Sequence, residues 1–248
     1  MNDYIIAEEY TLPSKGMVYD KQINPNIKIR SMTTEEEMKR LGHSDLPYKL
    51  LAEIIDDCLV VKPELSTYDL CIGDYQFLLH KLRVVTYGAD YKVELRCPIC
   101  GTLNKKTIDL DKLGVQEYSD QIKEYLHITL PRSKKSVQLR LQTPRMLDDV
   151  KRKSQELLDK SPDFEGESAF LFTLTSVIQK VDGQVLDSVK LEAFVRSLPM
   201  QDANYILKSL EKVDIGVNPD ISCICKKCKH KIESVIPITG EFFGPSID

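Results

Sequence analysis

The chain has 248 residues, of which 42% are hydrophobic and 29% charged, a composition typical of folded globular proteins and not of disordered ones. It carries 34 basic and 38 acidic residues, and the formal net charge of −4 argues against a nucleic-acid coat protein or a polybasic membrane binder. There is no apolar run of about 18 residues, and the acidic start MNDYIIAEEY lacks a signal-peptide pattern. We therefore expect no membrane span and a protein that folds in a reducing cytoplasm.

The first part of the chain divides into an arm and a helical block. Residues 1–26 contain few periodic apolar positions, which predicts an extended N-terminal arm that is ordered by lying on another surface. Residues 27–96 are predicted to be mainly helical, because PYKLLAEIIDDCLV and QFLLHKLRVV place apolar side chains at helical spacing. Thr34 and Glu37 form a capping-box pattern at the start of the first helix.

The hydrophobic period changes to that of strands near residue 90. Residues 97–110 together with 220–240 are predicted to form a split metal ribbon, since each segment combines alternating strands with a C-x-x-C turn. Between them, residues 111–219 are predicted to form an inserted hairpin (LHITL, PRSKKS, VQLRL) followed by a helical block, and residues 241–248 are predicted to form a C-terminal tail. The predicted fold class is α+β, with helical blocks around small antiparallel sheets and a split, zinc-ribbon-like pair of cysteine knuckles.

Four of the seven cysteines occur as two C-x-x-C pairs. A structural zinc ion requires four soft donors in a tetrahedron, and a C-x-x-C turn supplies two of them from one short stretch. Cys97 and Cys100 form the first pair, and Cys225 and Cys228 form the second. The 124 residues between the pairs do not forbid a shared site, because the entropy cost of loop closure grows only slowly with loop length. We predict one structural Zn²⁺ bound by these four cysteines.

Other interpretations of the cysteines remain open at this point. Four thiolates also suit an iron–sulfur cluster, and the pairs could be ordinary buried cysteines or a redox dithiol, although no thioredoxin-like βαβ context surrounds them. Cys223 is expected to pack in its strand, and Cys58 and Cys71 to pack in a helical core. His230 is the histidine best placed to act as a substitute ligand.

No pattern in the sequence indicates an enzyme. The P-loop, dinucleotide-binding, H-E-x-x-H and G-x-S-x-G motifs are all absent from the sequence, and the four histidines are widely separated. We therefore predict a protein without catalytic residues and without a small-molecule substrate. A thiol oxidoreductase would instead require an exposed cysteine of low pKa.

The C-terminal run ITGEFFGPSID places Phe242 and Phe243 side by side. Neighbouring side chains of an extended chain point to opposite sides, so one core would hold one ring and leave the other exposed. The two phenylalanines are therefore candidates for partner binding, with surface packing of one ring as the plainer interpretation. Truncation of residues 241–248 would distinguish these two interpretations.

Five short segments together resemble one protein family. TLPSKGMVYD, IRSMTTEEE, LRVVTYGADY, CPICG, and a late C-x-x-C followed by EFFGP are similar to baseplate hub proteins of T-even-type contractile-tailed bacteriophages. The resemblance covers most of the chain and does not separate the hub subunit from the related hub-assembly factor. Cys223 has no counterpart in the pattern.

The resemblance implies a non-enzymatic structural or assembly protein of the tail baseplate, made in the host cytoplasm, whose partners are other hub proteins. The alternative from another class is a zinc-ribbon nucleic-acid binder or transcription accessory protein. That alternative predicts a basic face bearing aromatic residues, whereas the chain is acidic and contains no Trp.

Overall fold

A computed structural model describes residues 6–161, 167–236 and 240–243, which form twelve strands, eight α-helices and three 3₁₀ turns. The strands are β1 (Ala7–Thr11), β2 (Asn26–Arg30), β3 (Leu59–Val61), β4 (Asp90–Arg96), β5 (Leu103–Asp109), β6 (Val115–Gln116), β7 (His127–Thr129), β8 (Ser136–Leu139), β9 (Ile178–Val181), β10 (Gly216–Val217), β11 (Asp220–Ile224) and β12 (Lys231–Val235). The helices are α1 (Thr34–Leu41), α2 (Pro47–Cys58), α3 (Ile72–Tyr87), α4 (Ile122–Leu126), α5 (Pro144–Lys160), α6 (Ser168–Val177), α7 (Ser188–Ser197) and α8 (Met200–Glu211). The 3₁₀ turns are Thr67–Asp69, Leu110–Lys112 and Gly240–Phe243.

The strands of the described residues pair into five small antiparallel sheets. Two sheets have three strands, in the orders β1-β2-β3 and β7-β8-β9, and the pairs β4–β5, β6–β10 and β11–β12 form the others. The prediction of an α+β fold with helical blocks around small antiparallel sheets is confirmed. None of the helices in the described ranges is long and apolar enough to cross a membrane.

The first helix begins one residue earlier than its capping pattern suggested. Thr33 is the N-cap of α1, and the carboxylate of Glu36 accepts the Thr33 backbone N–H at 2.7 Å, so the prediction of a Thr34–Glu37 box is wrong by one position. Arg30 at the end of β2 donates to Glu36 at 2.7 Å, and this hydrogen bond is the main reason that the pKa of Glu36 falls to about 2. The neighbouring strand therefore selects which of the adjacent threonines caps the helix.

The first of two hydrophobic cores, hereafter the first core, surrounds α3. Its buried residues come from the N-terminal third of the chain, from β4 and β5, and from residues 217–243. The segment predicted as an N-terminal arm lies on this core: Leu12 and Ile23 are buried, and Asp74 of α3 accepts the Ser14 backbone N–H at 2.9 Å and the Tyr19 hydroxyl at 2.6 Å. The surface that orders the arm is therefore part of the same chain.

The second core is built entirely from residues between β7 and α8. The predicted hairpin is confirmed, with Ile128 of β7 opposite Val137 of β8, and both side chains are buried. Helices α6, α7 and α8 cover the sheet with apolar side chains such as Leu174, Val195 and Ile206. The chain thus leaves the first core, builds the second and returns to the first near residue 217.

Polar contacts join α5 to elements of the first core. Asp148, buried on α5, accepts the Lys49 backbone N–H and the Tyr68 hydroxyl, each at 3.0 Å. Arg145, one turn earlier, forms a bidentate ion pair with the Asp69 carboxylate, with N–O distances of 2.6 and 2.8 Å. These contacts hold the first turn of α5 against the start of α2 and the 3₁₀ turn at 67–69.

Phe242 and Phe243 both lie in the first core, with exposures of 0% and 1%. The expectation that one of the two rings would be exposed and free for a partner is therefore wrong. The backbone at 240–243 is a 3₁₀ turn and not an extended strand, so adjacent side chains no longer point to opposite sides. The Arg83 side chain donates to the Phe242 carbonyl at 3.1 Å, which holds this turn against α3.

His80 makes this same contact between α3 and the C-terminal turn sensitive to acid. Its ring stacks on Phe242 with centroids 6.3 Å apart, and its Nε2 lies 3.0 Å from the Leu110 carbonyl oxygen. Burial, with a smaller contribution from nearby Lys81, lowers the pKa of His80 from 6.5 to about 4. Since the unfolded chain then binds a proton more readily than the folded chain, stability decreases as pH falls from 6.5 towards 4.

We expect the substitution His80→Gln, which keeps a side-chain donor, to reduce this acid sensitivity. Between pH 7.5 and pH 5 the wild-type protein should lose about 2 kcal/mol more of its free energy of unfolding than the variant does. Urea unfolding of both proteins at the two pH values measures the difference. The other titrating groups are common to both proteins, so equal losses would show that the pKa of His80 is the same in the folded and the unfolded chain.

Candidate metal centre

The four cysteines of the two C-x-x-C pairs meet at the ends of two hairpins. Cys97 and Cys100 lie in the turn that joins β4 to β5, and Cys225 and Cys228 lie in the turn that joins β11 to β12. Lys106 of β5 donates to the Ser222 carbonyl of β11 at 2.5 Å, which ties the two hairpins together beside the turns.

The two cysteine turns, hereafter the knuckles, have the same backbone hydrogen bonds. In each knuckle the backbone N–H of the first cysteine donates to the carbonyl of the residue five positions later. The carbonyl of the same cysteine accepts the N–H of the residue four positions later. These bonds measure 2.9 and 2.9 Å in the first knuckle and 2.8 and 3.1 Å in the second. The two turns therefore have the same backbone hydrogen-bond pattern and present their cysteines in the same way.

Both knuckles also place the residue after the second cysteine in the left-handed region. Gly101 has φ of +70° and Lys229 has φ of +63°. Glycine adopts this conformation at no steric cost, whereas a residue with a Cβ pays about 1–2 kcal/mol for it. The first knuckle is therefore unstrained at this position and the second is strained.

The sulfur atoms are close enough to share one ion. All four lie within 4.8 Å of one another, and the nearest pairs cross between the knuckles: Cys97 to Cys228 at 3.5 Å and Cys100 to Cys225 at 3.6 Å. A tetrahedral zinc ion with Zn–S distances of about 2.3 Å requires sulfur–sulfur separations of about 3.8 Å. The observed cluster fits that requirement, and the prediction that the four cysteines come together is correct.

The environment of the sulfurs favours partial ionisation before any metal binds. Hydrogen bonding to the side chain and backbone of Thr102 lowers the pKa of Cys100 to about 6, and the backbone N–H of Cys228 lowers the pKa of Cys225. At Cys228 the backbone N–H of His230 acts in the same direction, but desolvation and the adjacent thiols outweigh it and raise the pKa to about 12. Metal binding would release the remaining thiol protons.

Asn104 connects the two knuckles and was not identified from the sequence. It is buried on β5, its Oδ1 accepts the Lys226 backbone N–H at 2.9 Å, and its Nδ2 donates to the Thr102 carbonyl at 2.9 Å. These opposite requirements fix the orientation of the amide, and Nδ2 then lies 3.8 Å from the Cys225 sulfur. The sequence feature that points to Asn104 is an uncharged amide at an inward-facing position of the strand that begins just after the first C-x-x-C pair.

The remaining residues considered as ligands lie outside the cluster. His230 is exposed and takes part through its backbone carbonyl, and Cys223 is half-buried on β11 beside the core. Cys58 and Cys71 are buried, and desolvation raises the pKa of each to about 12, which suits packing and not metal binding. Within the described residues, the four knuckle cysteines are the only group of three or more potential ligands brought this close.

The fold and the site define a class: an α+β protein in which two sequence-distant hairpins meet at a four-cysteine cluster. The family model described as T4 bacteriophage base plate protein matches residues 5–244, a range that includes both knuckles. The chain therefore belongs to the T4 bacteriophage base plate protein family, which places it in the tail of the virion. Searches of the curated proteins and of the solved structures find no match.

The strain at Lys229 can be tested by substituting the residue that follows the second cysteine in each knuckle. We expect Lys229→Gly to raise the free energy of unfolding by about 0.5–1 kcal/mol, because it removes the left-handed strain at some cost in chain entropy. Gly101→Ala should lower it by about 1 kcal/mol, although nothing lies within 4 Å of the added Cβ. Urea unfolding measures both changes. Destabilisation by Lys229→Gly would show that the lysine side chain itself supports the knuckle.

The role of Asn104 can be tested through metal affinity. We expect Asn104→Leu to weaken Zn²⁺ binding by about 10–100-fold, since the variant loses the contacts that hold the two knuckles together. Asn104→Asp should be impaired similarly, because it loses the amide donors and adds a carboxylate next to thiolates. Competition with a chromophoric chelator measures the affinity, with the exposed Asn218→Asp as control. Unchanged affinity in both Asn104 variants would contradict the assigned role.

Proposed function

We propose that the protein is a structural component of the baseplate hub, that it acts by binding other tail proteins, and that the four-cysteine cluster holds a structural zinc ion. The observation that carries the proposal is the family match over residues 5–244, which includes all four cysteines. Membership in a family of baseplate proteins supports a structural role without catalysis. The five resemblance segments support the narrower assignment to the hub.

The zinc ion would join parts of the chain that are far apart in sequence. Two-stranded hairpins are marginally stable alone, and here both hairpins depend on contacts at their ends and with the first core. The second core lies between the two knuckles in sequence, so we propose that the middle of the chain, residues 111–219, is an insertion closed by the ribbon formed by 97–110 and 220–240. The bound ion would then stabilise both the ribbon and the closure of the insertion.

Metal analysis of the purified protein tests the zinc assignment. We expect one zinc ion per chain, and we expect Cys97→Ser to lose the metal and several kcal/mol of stability. Cys223→Ser is the matched control, because it also changes a ribbon cysteine but leaves the cluster complete, and it should retain the metal. Iron and labile sulfide with visible absorbance would indicate an iron–sulfur cluster instead, and a metal-free, stable protein would overturn the assignment.

The hub assignment is tested separately by the composition of purified tails. A hub subunit should be detected by mass spectrometry at constant stoichiometry in mature baseplates. A hub-assembly factor should be required for baseplate formation but missing from the finished particle. Normal baseplates formed in the absence of this protein would contradict both roles.

A further inference from the structure

The end of the ribbon that carries the knuckles is rich in basic residues. Residues 95–108 and 221–232 contain seven of the chain's 34 basic residues and none of its 38 acidic ones. All seven side chains are exposed. They are Arg96, Lys105, Lys106, Lys226, Lys227, Lys229 and Lys231. Glu94 and Glu233 flank these segments and pair with Lys105 and Lys231, and this end still carries an excess of positive charge in a protein whose net charge is −4.

Exposed aliphatic side chains lie among these charges. Ile99 is 69% exposed, Ile224 is 59% exposed and Leu103 is 51% exposed. Ile99 lies inside the first knuckle and Ile224 directly precedes Cys225, so the sulfur cluster brings them to the same end of the ribbon. Leu103 is directly opposite Arg96 in the β4–β5 pairing. We call this set of three aliphatic and seven basic residues the ribbon tip.

Most of the positive charge of the ribbon tip is available to a partner. Lys226, Lys227 and Lys229 form no ion pair within the described ranges, and the pairs Lys105–Glu94 and Lys231–Glu233 are themselves exposed. Exposed pairs of this kind contribute little and exchange readily. A partner that supplies carboxylates could therefore engage these lysines without first breaking a strong interaction.

We propose that the ribbon tip docks onto an acidic surface of a neighbouring baseplate protein, with its three aliphatic side chains at the centre of the contact and the basic residues around them. This inference rests on the proposed function and names the chemistry of the partner. An apolar centre with a polar rim is the usual arrangement of protein–protein interfaces. A single-stranded nucleic acid would instead favour aromatic stacking platforms, and neither segment of the tip contains Phe, Tyr or Trp.

The test uses the full-length, metal-loaded protein and the other baseplate proteins of the same phage, purified and mixed with it one at a time. We expect at least one of them to bind, through an acidic surface, with an affinity that falls as salt is raised from 50 to 300 mM. Ile99→Ser with Ile224→Ser, and separately Lys226→Glu with Lys227→Glu, should each weaken that binding at least about tenfold.

Two matched control variants make the same changes elsewhere. Val185→Ser with Val189→Ser alters exposed apolar residues just before and within α7, and Lys151→Glu with Lys208→Glu reverses exposed lysines on helices. Both controls should bind like the wild-type protein. The two tip variants change different exposed side chains, so the charge-reversed variant retains the test if the serine variant fails to fold, and metal content verifies the fold of each.

The outcomes distinguish this inference from the proposed function. Binding that is equal in tip and control variants overturns the inference but leaves the hub assignment intact. Failure of the wild-type protein to bind any baseplate protein contradicts the proposed function itself. The tip variants could also keep baseplate binding and lose binding to duplex DNA or self-association. That result would overturn the inference and assign the ribbon tip to duplex DNA or to a second copy of the chain.

Discussion

Four sulfur atoms within 4.8 Å of one another define the most demanding geometric constraint in this protein. They belong to two cysteine pairs separated by 124 residues, and each pair lies in the turn of a two-stranded sheet. Their convergence requires the whole intervening chain to leave and return to the same place. A metal ion bound there would resist separation of the two hairpins directly, while the entropy cost of closing so long a loop increases only slowly with its length.

The protein prepares this site with ordinary hydrogen bonds. Asn104 joins the backbone of one knuckle to the other, and Lys106 joins β5 to β11. Both residues lie on the strand that follows the first knuckle, two positions apart and therefore on the same face, which turns both side chains towards the second hairpin. Such surrounding contacts commonly determine how well a set of ligands is held in position for a metal ion.

Three buried aspartates perform a comparable role away from the ribbon. Asp74, Asp148 and Asp202 each accept backbone N–H groups from a segment 60 or more residues away. A buried carboxylate is stable only when such donors surround it. The N-terminal segment, the start of α2 and the β7–β8 turn are each fixed in this way to a helix, so loops without much apolar surface still have defined positions.

Short-range patterns allowed much of the architecture to be predicted from the sequence alone. Strand alternation and turn residues predicted the β7–β8 hairpin, and the two C-x-x-C spacings identified the cysteines that meet. Tertiary packing decided the rest: Arg30 selected Thr33 over Thr34 as the helix cap, and the 3₁₀ turn at 240–243 buried both phenylalanines. The contacts of Asn104 and of the buried aspartates also depend on residues distant in sequence. Local periodicity carries no information about such partners, because they become neighbours only when the two cores and the ribbon are assembled.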